Sequence, residues 1–520
     1  MYSIVTTAIV QGIKSVPVYV EADVSDGMPV FEMVGFLAAE VKESKERVRT
    51  ALRNSGYMLP AKRITINFTP ANIRKNGSGF DLPIALSILS AMGVVLEETL
   101  RDVFVIGEIC LNGEIRPVNG ILPMIAEAKT MGIKTCIVPL ENATEAELVK
   151  HMQIFAVRDL KEVIELLNGA AYERKSHERK IYQTIEMNGD SAKRGCGNSD
   201  KLPDFSEING QYVLKRACET AVSGMHNLLM IGPPGAGKTM AAMRIPTILP
   251  ALDEEEQMEL SKIYSVCGLF NHRETLMDKR PFRSPHHTIT PQGLAGGGAI
   301  PKPGEISLAH KGVLFLDELP EFKKDTLEVL RQPMEEKVAR LVRLNGNFEY
   351  PADFMLVAAM NPCKCGYYPD MQKCRCTASA IERYINRISQ PLLDRIDICI
   401  ATMQIPFEEL TKKAKEESSE QIRARVAEVH ERMRFRYRNE DFKFNSQIPA
   451  AKMSSYCKLR AEQEAYMKET YQNLNLTARS YHKILKVART LADMEHSDEI
   501  CDKHLKEAIC YRNVDKKLWK

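Results

Sequence analysis

Asn227-Leu228-Leu229-Met230-Ile231-Gly232-Pro233-Pro234-Gly235-Ala236-Gly237-Lys238-Thr239-Met240 is the stretch whose reading decides the fold. Residues 227–231 form an apolar, strand-like run, and residues 240–245 suit a helix. The turn between them matches G-x-x-x-x-G-K-[ST] in full. Glycines at 232, 235 and 237 let the backbone approach a phosphate and take positive φ. The loop from Gly232 through Pro233, Pro234, Gly235 and Ala236 to Met240 then forms an anion cradle at a helix N-terminus. Lys238 is expected to reach the β- and γ-phosphates of ATP, and Thr239 to hold Mg²⁺ through its hydroxyl. A glycine-rich turn with no ligand is the alternative, and the flanking strand and helix speak against it.

Two further strands carry polar ends. Residues 313–316 are four consecutive apolar residues, as in a buried parallel strand, and they lead into Asp317 and Glu318. In open α/β sheets ligands bind at that end of a strand. Asp317 is expected to hold Mg²⁺ and Glu318 to polarise the attacking water. Residues 354–359 form a third strand ending at Met360 and Asn361, whose amide suits the γ-phosphate or the lytic water. A turn-forming Asn before Pro362 is the competing explanation.

Outward from this core, the chain of 520 residues is long enough for roughly three domains. Residues 1–171 alternate strand-like runs (64–68, 103–106, 135–139) with helical ones (41–54, 82–92, 121–131), which argues for an α/β or α+β domain. Residues 172–207 are polar and without apolar period, as in a linker. Residues 208–403 return to strand and helix, and 404–520 turn helical, with runs at 408–435, 461–474 and 477–494. The fold class is therefore α/β with a helical C-terminal region. No internal repeat appears at solenoid or propeller periods.

Bulk composition excludes some classes. A formal net charge of +3 is too small to imply nucleic acid by itself. The N-terminus lacks the pattern of a signal peptide. The apolar stretch 82–96 holds Pro83, Ser87 and Ser90 and is too short to span a membrane, so no membrane partner is expected. Thirteen cysteines without a secretion signal fit a reducing, cytoplasmic setting. Four of these, Cys363, Cys365, Cys374 and Cys376, bracket a short loop after the third strand. Four thiolates at close range suit tetrahedral Zn²⁺. Their C-x-C spacing is tighter than C-x-x-C, and four free thiols in a loop stay open as the alternative. His286 and His287 are adjacent, not four apart, and make a poor metal pair.

The three strands in this order resemble the AAA+ ATPases, with Walker A, Walker B and a sensor 1 Asn at 361. Pro391-Leu392-Leu393-Asp394-Arg395-Ile396-Asp397 is similar to the segment that carries the arginine finger. Leu476-Thr477-Ala478-Arg479 is similar to the sensor 2 start of the lid. GEISLAHKG (304–312) and Arg283-Ser284-Pro285-His286-His287 resemble the magnesium-chelatase-like branch, and with the N-terminal segment the whole resembles the ComM/YifB family. GEICLNGEIRPVNGILPMIAEAK (107–129) and the stretch around Asn76–Asp81 (76–81) resemble the Lon protease domain, of ribosomal-protein-S5-like fold. Aligned on Arg116, Pro117 and Gly120, the catalytic lysine position falls on Leu122, and Ser78 is offset from the nucleophile, so this domain is expected to be non-proteolytic.

The resemblance implies an ATP-hydrolysing hexameric ring in which Arg395 completes the neighbouring subunit's site; local pairing with Asp394 or Asp397 is the alternative. It implies DNA as the partner, with helicase or branch-migration activity. Residues 339–352 read as a hairpin with Asn345-Gly346 at its turn, flanked by Arg340 and Arg343, which suits a pore-facing element. The run 281–304 suits a second pore loop; two surface loops are the alternative to both. Arginines and aromatics alternate over 430–438, and a solvated helix end explains them better than base stacking. Magnesium chelation and protein remodelling are competing functions. Against the first, the chelatase motor subunit carries no Lon-like N-terminal domain, and the D-x-S-x-S site of its partner subunit is absent, since Asp23–Gly27 (23–27) misses the second serine; the second lacks an aromatic pore loop.

Overall fold

The computed structural model describes residues 1–169, 203–270, 275–298, 301–343, 346–404 and 416–519. Most of the expected linker 172–207 and the turn residue Asn345 lie outside them. The chain divides into two compact units. One comprises residues 1–200, 257–277 and 340–349, the other residues 201–256, 278–339 and 350–520.

The first unit is built on a seven-stranded mixed sheet. Its strands are β1 (Tyr2–Gln11), β2 (Lys14–Ser25), β3 (Val30–Val34), β4 (Arg63–Thr69), β5 (Val103–Val105), β8 (Thr135–Pro139) and β9 (Gln153–Val157), in the order β3-β4-β2-β1-β5-β8-β9. β6 (Glu108–Ile109) and β7 (Ile115–Arg116) form a separate small ribbon. β1 and β2 are antiparallel and joined through Gly12, whose φ of +72° suits the tight turn. β5, β8 and β9 continue the sheet in parallel. The helix Asp81–Ala91 is buried on all sides, which is why its sequence is apolar without helical period. By contrast, helix Ala39–Asn54 buries Val41, Ser44, Val48, Ala51 and Leu52, one stripe at helical spacing.

The second unit carries a five-stranded parallel sheet. Its strands are β10 (Leu228–Ile231), β11 (Phe282–Arg283), β14 (Val313–Leu316), β17 (Met355–Met360) and β18 (Ile398–Ala401), in the order β11-β14-β17-β10-β18. Every residue of β10, β14 and β17 is buried, the signature of strands covered on both faces. Ile231 pairs with Met360, and Leu316 with Ala358. Because all strands run the same way, the turns after Ile231, Leu316 and Met360 emerge at one edge. β12 (Gly296–Gly297) and β13 (Lys302–Pro303) form a ribbon inside the run 281–304. β15 (Val338–Arg343) and β16 (Gly346–Pro351), whose residues 340–349 belong to the first unit, form the expected hairpin.

The C-terminal region is helical, with Ser419–Arg436, Ala461–Asn473, Ala478–Met494 and Asp502–Trp519. Ile422, Val426, Val429 and Met433 from the first of these, and Ile484, Leu485, Ala488 and Leu491 from the third, join the core under β10, β14 and β17. Of the helical run expected over 408–435, the described part is non-helical at 416–418 and helical from Ser419. Ser418 accepts from the Gln421 N–H while the Gln421 side chain takes the Ser418 N–H, a reciprocal cap that ends the helix there. Residues 405–415 lie outside the described ones. Among the described residues no helix is long and apolar enough to cross a membrane.

Candidate nucleotide site

The turn after β10 is shaped by its glycines. Gly235 and Gly237 have φ of +78° and +76°, which L side chains rarely adopt. A Cβ on either would meet nothing within 4 Å, so the need is conformational. Gly232 is different: a Cβ there would lie 2.1 Å from the Thr402 hydroxyl and 2.4 Å from its carbonyl. The loop closes directly into helix Lys238–Ile248, so its N–H groups and the helix N-terminus face the same side.

Lys238 is buried and folds back over the loop. Its ammonium donates to the Gly232 carbonyl at 2.7 Å, the Pro233 carbonyl at 2.9 Å and Asn361 Oδ1 at 3.2 Å. Burial holds the Lys238 amine below the usual lysine range, and the nearby Asp317 carboxylate works against that shift. The exposed Thr239 hydroxyl donates to Asp317 Oδ2 at 2.8 Å, and Asp317 Oδ1 accepts the Glu318 N–H at 2.9 Å. Thus the ends of β10, β14 and β17 meet: Lys238 touches Asn361, and Thr239 touches Asp317. Glu318 sits in the left-handed region, φ +51°, with a largely exposed carboxylate 3.8 Å from His287 Nδ1. The positive-φ glycines and the N–H-lined turn fit a polyphosphate, and a hydroxyl beside a carboxylate is an oxygen donor set suited to Mg²⁺.

Arg395 and Arg479 make their contacts elsewhere. Arg395 donates to the Arg331 carbonyl at 3.1 Å and the Pro391 carbonyl at 2.6 Å, and pairs with Glu335 at 2.7 Å. Arg479 reaches the same Glu335 oxygen at 3.5 Å. Neither Asp394 nor Asp397 is the local partner considered from sequence. Asp394 accepts from Gln390, whereas Asp397 pairs with Lys483 at 2.9 Å and caps the Asn227 N–H.

The four cysteines converge. Their sulfurs all lie within 4.8 Å of one another, and Cys363 and Cys374 are buried. Arg283 makes a two-pronged pair with Glu305 at 2.6 and 2.7 Å, which ties the R-S-P-H-H stretch to the segment before β14. The His286 and His287 rings lie 4.0 Å apart, tilted by 36° to each other. The basic stretch 430–438 is mostly committed: Arg436 to Asp493, Arg432 to Asp498, Arg434 to Glu431, and His430 against Phe444.

In the first unit Ser78 donates to Glu108, an acid and not a lysine. Leu122 is buried, with its N–H toward Glu145 and Ser265. Burial pushes the Glu145 carboxyl up to about 7, partly offset by its hydrogen bonds with the Ser265 side chain and the Leu122 N–H.

Family comparison identifies three matches in chain order. Subunit ChlI of Mg-chelatase matches residues 20–142, magnesium chelatase subunit ChlI matches 204–410, and its C-terminal family matches 416–512. The YifB protein of Salmonella typhimurium is 40% identical over 517 residues, covering 99% of this chain and 98% of that one. Competence protein ComM of Haemophilus influenzae is 39% identical, covering 98% and 97%. The chain belongs to the magnesium-chelatase-like ComM/YifB family. Lon protease 2 of Bacillus subtilis is 33% identical over 153 residues, 29% of this chain and 26% of that protein.

Membership in the ComM/YifB family points to an AAA+-type ATPase. Some residues around the site carry no sequence signal. Gln211 donates to the Ala236 carbonyl at 3.3 Å and the Met403 carbonyl at 2.7 Å. Glu335 gathers both arginines. His287, a poor metal ligand by spacing, lies beside Glu318; it stands four residues beyond β11, whose pairing with β14 brings it there.

Proposed function

We propose that this member of the ComM/YifB family is an ATP-hydrolysing ring motor that acts on DNA, as a helicase or branch-migration enzyme in the cytoplasm. The observation that carries ATP hydrolysis is the joining of three strand ends through the Lys238–Asn361 and Thr239–Asp317 hydrogen bonds. In this reading residues 208–403 form the AAA+ core and 404–520 its lid. Residues 1–171 form a non-proteolytic Lon-like domain, followed by a linker over 172–207.

ATP and Mg²⁺ are the cofactors, the metal neutralising charge that develops on the phosphates. The backbone from Gly232 to Met240 binds the phosphates, Lys238 turns from its loop carbonyls to the β- and γ-phosphates, and Thr239 and Asp317 hold the metal. Glu318 takes the proton of the attacking water, and Asn361 orients that water. Arg395 serves the neighbouring subunit in a hexamer and Arg479 serves the lid; both must then leave Glu335. Zn²⁺ in the cysteine loop is the third cofactor.

The DNA assignment draws on the competence role in the name of the ComM relative. It also draws on the β15–β16 hairpin with Arg340 and Arg343, of which Arg340 pairs with Glu349 at 2.9 Å. The test is ATPase activity with and without forked or four-way DNA at low salt, because phosphate contacts weaken steeply with salt. Stimulation by DNA is expected; neither stimulation nor binding removes the DNA reading. The family description favours a second reading, magnesium insertion into a porphyrin, which predicts ATP turnover indifferent to DNA.

A further inference from the structure

The cysteine loop begins two residues after Asn361 and folds back on the P-loop. Cys363 Sγ lies 3.3 Å from Cys365 Sγ and 3.8 Å from Cys374 Sγ, and Cys365 lies 3.5 Å from Cys374. A disulfide needs about 2.05 Å, so these are separate thiols. Four sulfurs at about 2.3 Å around a tetrahedral zinc stand about 3.8 Å apart. The observed separations, from 3.3 Å to no more than 4.8 Å, bracket that value. The Tyr368 N–H points at Cys363 Sγ at 3.5 Å, an outer contact of the kind that steadies a metal-bound thiolate.

The turn between the two cysteine pairs touches the nucleotide site. Gly366 is buried with φ +88°, and a Cβ on it would lie 2.7 Å from Pro234 Cδ and 3.9 Å from Asn361 Cγ. One short loop thus leans on Pro234 and continues directly into Asn361, the side chain that accepts from Lys238. The loop's own hydrogen bonds are short-range turns, such as Gly366 N–H to the Cys363 carbonyl at 3.0 Å and Cys374 N–H to the Asp370 carbonyl at 2.8 Å, whereas a metal would join its two ends.

We infer that Cys363, Cys365, Cys374 and Cys376 hold one Zn²⁺, and that the zinc-closed loop braces Pro234 and Asn361 so that ATP turnover depends on zinc occupancy. The dependence on turnover rests on the nucleotide site proposed above; the zinc site does not.

The experiment uses the full chain. Elemental mass spectrometry is expected to find about one zinc per chain. Co²⁺ in its place is expected to give the visible d–d and thiolate charge-transfer bands of a tetrahedral four-sulfur site. Cys374→Ser/Cys376→Ser is expected to lose the metal. Its ATP turnover is expected to fall about ten- to a hundredfold, the cost of a misplaced site. Should that variant misfold, the parent is stripped with a zinc-selective chelator in excess Mg²⁺ and refilled with Zn²⁺; turnover is expected to fall and recover while circular dichroism stays constant. No zinc and no Co²⁺ bands overturn the metal site. Zinc present but turnover unchanged on its removal overturns the bracing. A parent that holds zinc yet shows no ATP turnover overturns the nucleotide reading and the coupling, and leaves the metal site standing.

Discussion

Replacing Glu318 by Gln separates binding from chemistry in this site. The change keeps side-chain length and shape and removes only the ability to take a proton. Glu318 is 58% exposed, and among the described residues its ion-pair neighbour is His287 at 3.8 Å, so folding stability is expected to move by no more than about 0.5 kcal/mol. The backbone there has φ +51°, and Gln inherits that strain unchanged because neither residue is glycine. The Lys238 contacts run to Gly232, Pro233 and Asn361, not to Glu318, so ATP affinity is expected to stay within about threefold, or about 0.7 kcal/mol. Turnover has no such protection. A positioned general base contributes about 10²–10⁴-fold. At 1.36 kcal/mol per factor of ten, that is a barrier higher by about 2.7–5.4 kcal/mol. The assay is steady-state phosphate release paired with fluorescent-nucleotide titration and a denaturant melt on the same preparation. Retained affinity, an unchanged melt and turnover lowered at least about a hundredfold are expected. Turnover within about fivefold of the parent refutes the role of Glu318 as base. Lost affinity with lost turnover refutes the claim that the acid acts after binding.

Three further outcomes follow from the geometry. Lys238→Ala removes a charge-assisted donor worth about 1.5–3 kcal/mol, so equilibrium dialysis is expected to show ATP affinity lower by about ten- to a hundredfold. Arg395→Ala is expected to bind ATP normally and lose about 10³ in turnover, and mixing it with Lys238→Ala protein is expected to restore part of the activity. Normal turnover by Arg395→Ala alone rules out the shared site. His226 is fully buried, with Nε2 2.8 Å from the Thr490 hydroxyl, and burial pulls its pKa from 6.5 to about 4, against the pull of Asp397. The folded chain therefore resists a proton that the unfolded chain accepts. The contribution of His226 is whole above pH 6.5 and is lost as pH falls toward 4; urea melts at pH 5 are expected to show a loss of roughly 2 kcal/mol from this group. A His226→Asn variant is expected to lack that part of the slope.

The glycine turn and the strand ends of the candidate site were legible in the sequence because their signals are local. A glycine-rich turn between an apolar run and a helix is visible wherever it stands, and runs such as 313–316 and 355–360 are apolar throughout because parallel strands are covered on both faces. The parallel sheet and the helical C-terminal region were readable on the same grounds. The break within the run 408–435 was not: the helical pattern runs through 416–418, where a reciprocal cap between Ser418 and Gln421 starts helix Ser419–Arg436.

Local pattern names the strands and their polar ends, but not which strands are neighbours. Only the packed order β14-β17-β10 brings Asn361 to Lys238, 123 residues away, and Asp317 to Thr239, 78 residues away. Only packing gathers Arg395 and Arg479 on Glu335, closes four sulfurs to within 4.8 Å and leans Gly366 on Pro234. The sequence by itself determined the chemical parts: the phosphate turn, the acids, the thiols and the periods of the elements that carry them. The tertiary structure decided which parts meet, because a contact between distant residues is set by the burial of whole strands and helices against one another, and no short window of sequence contains both sides of it.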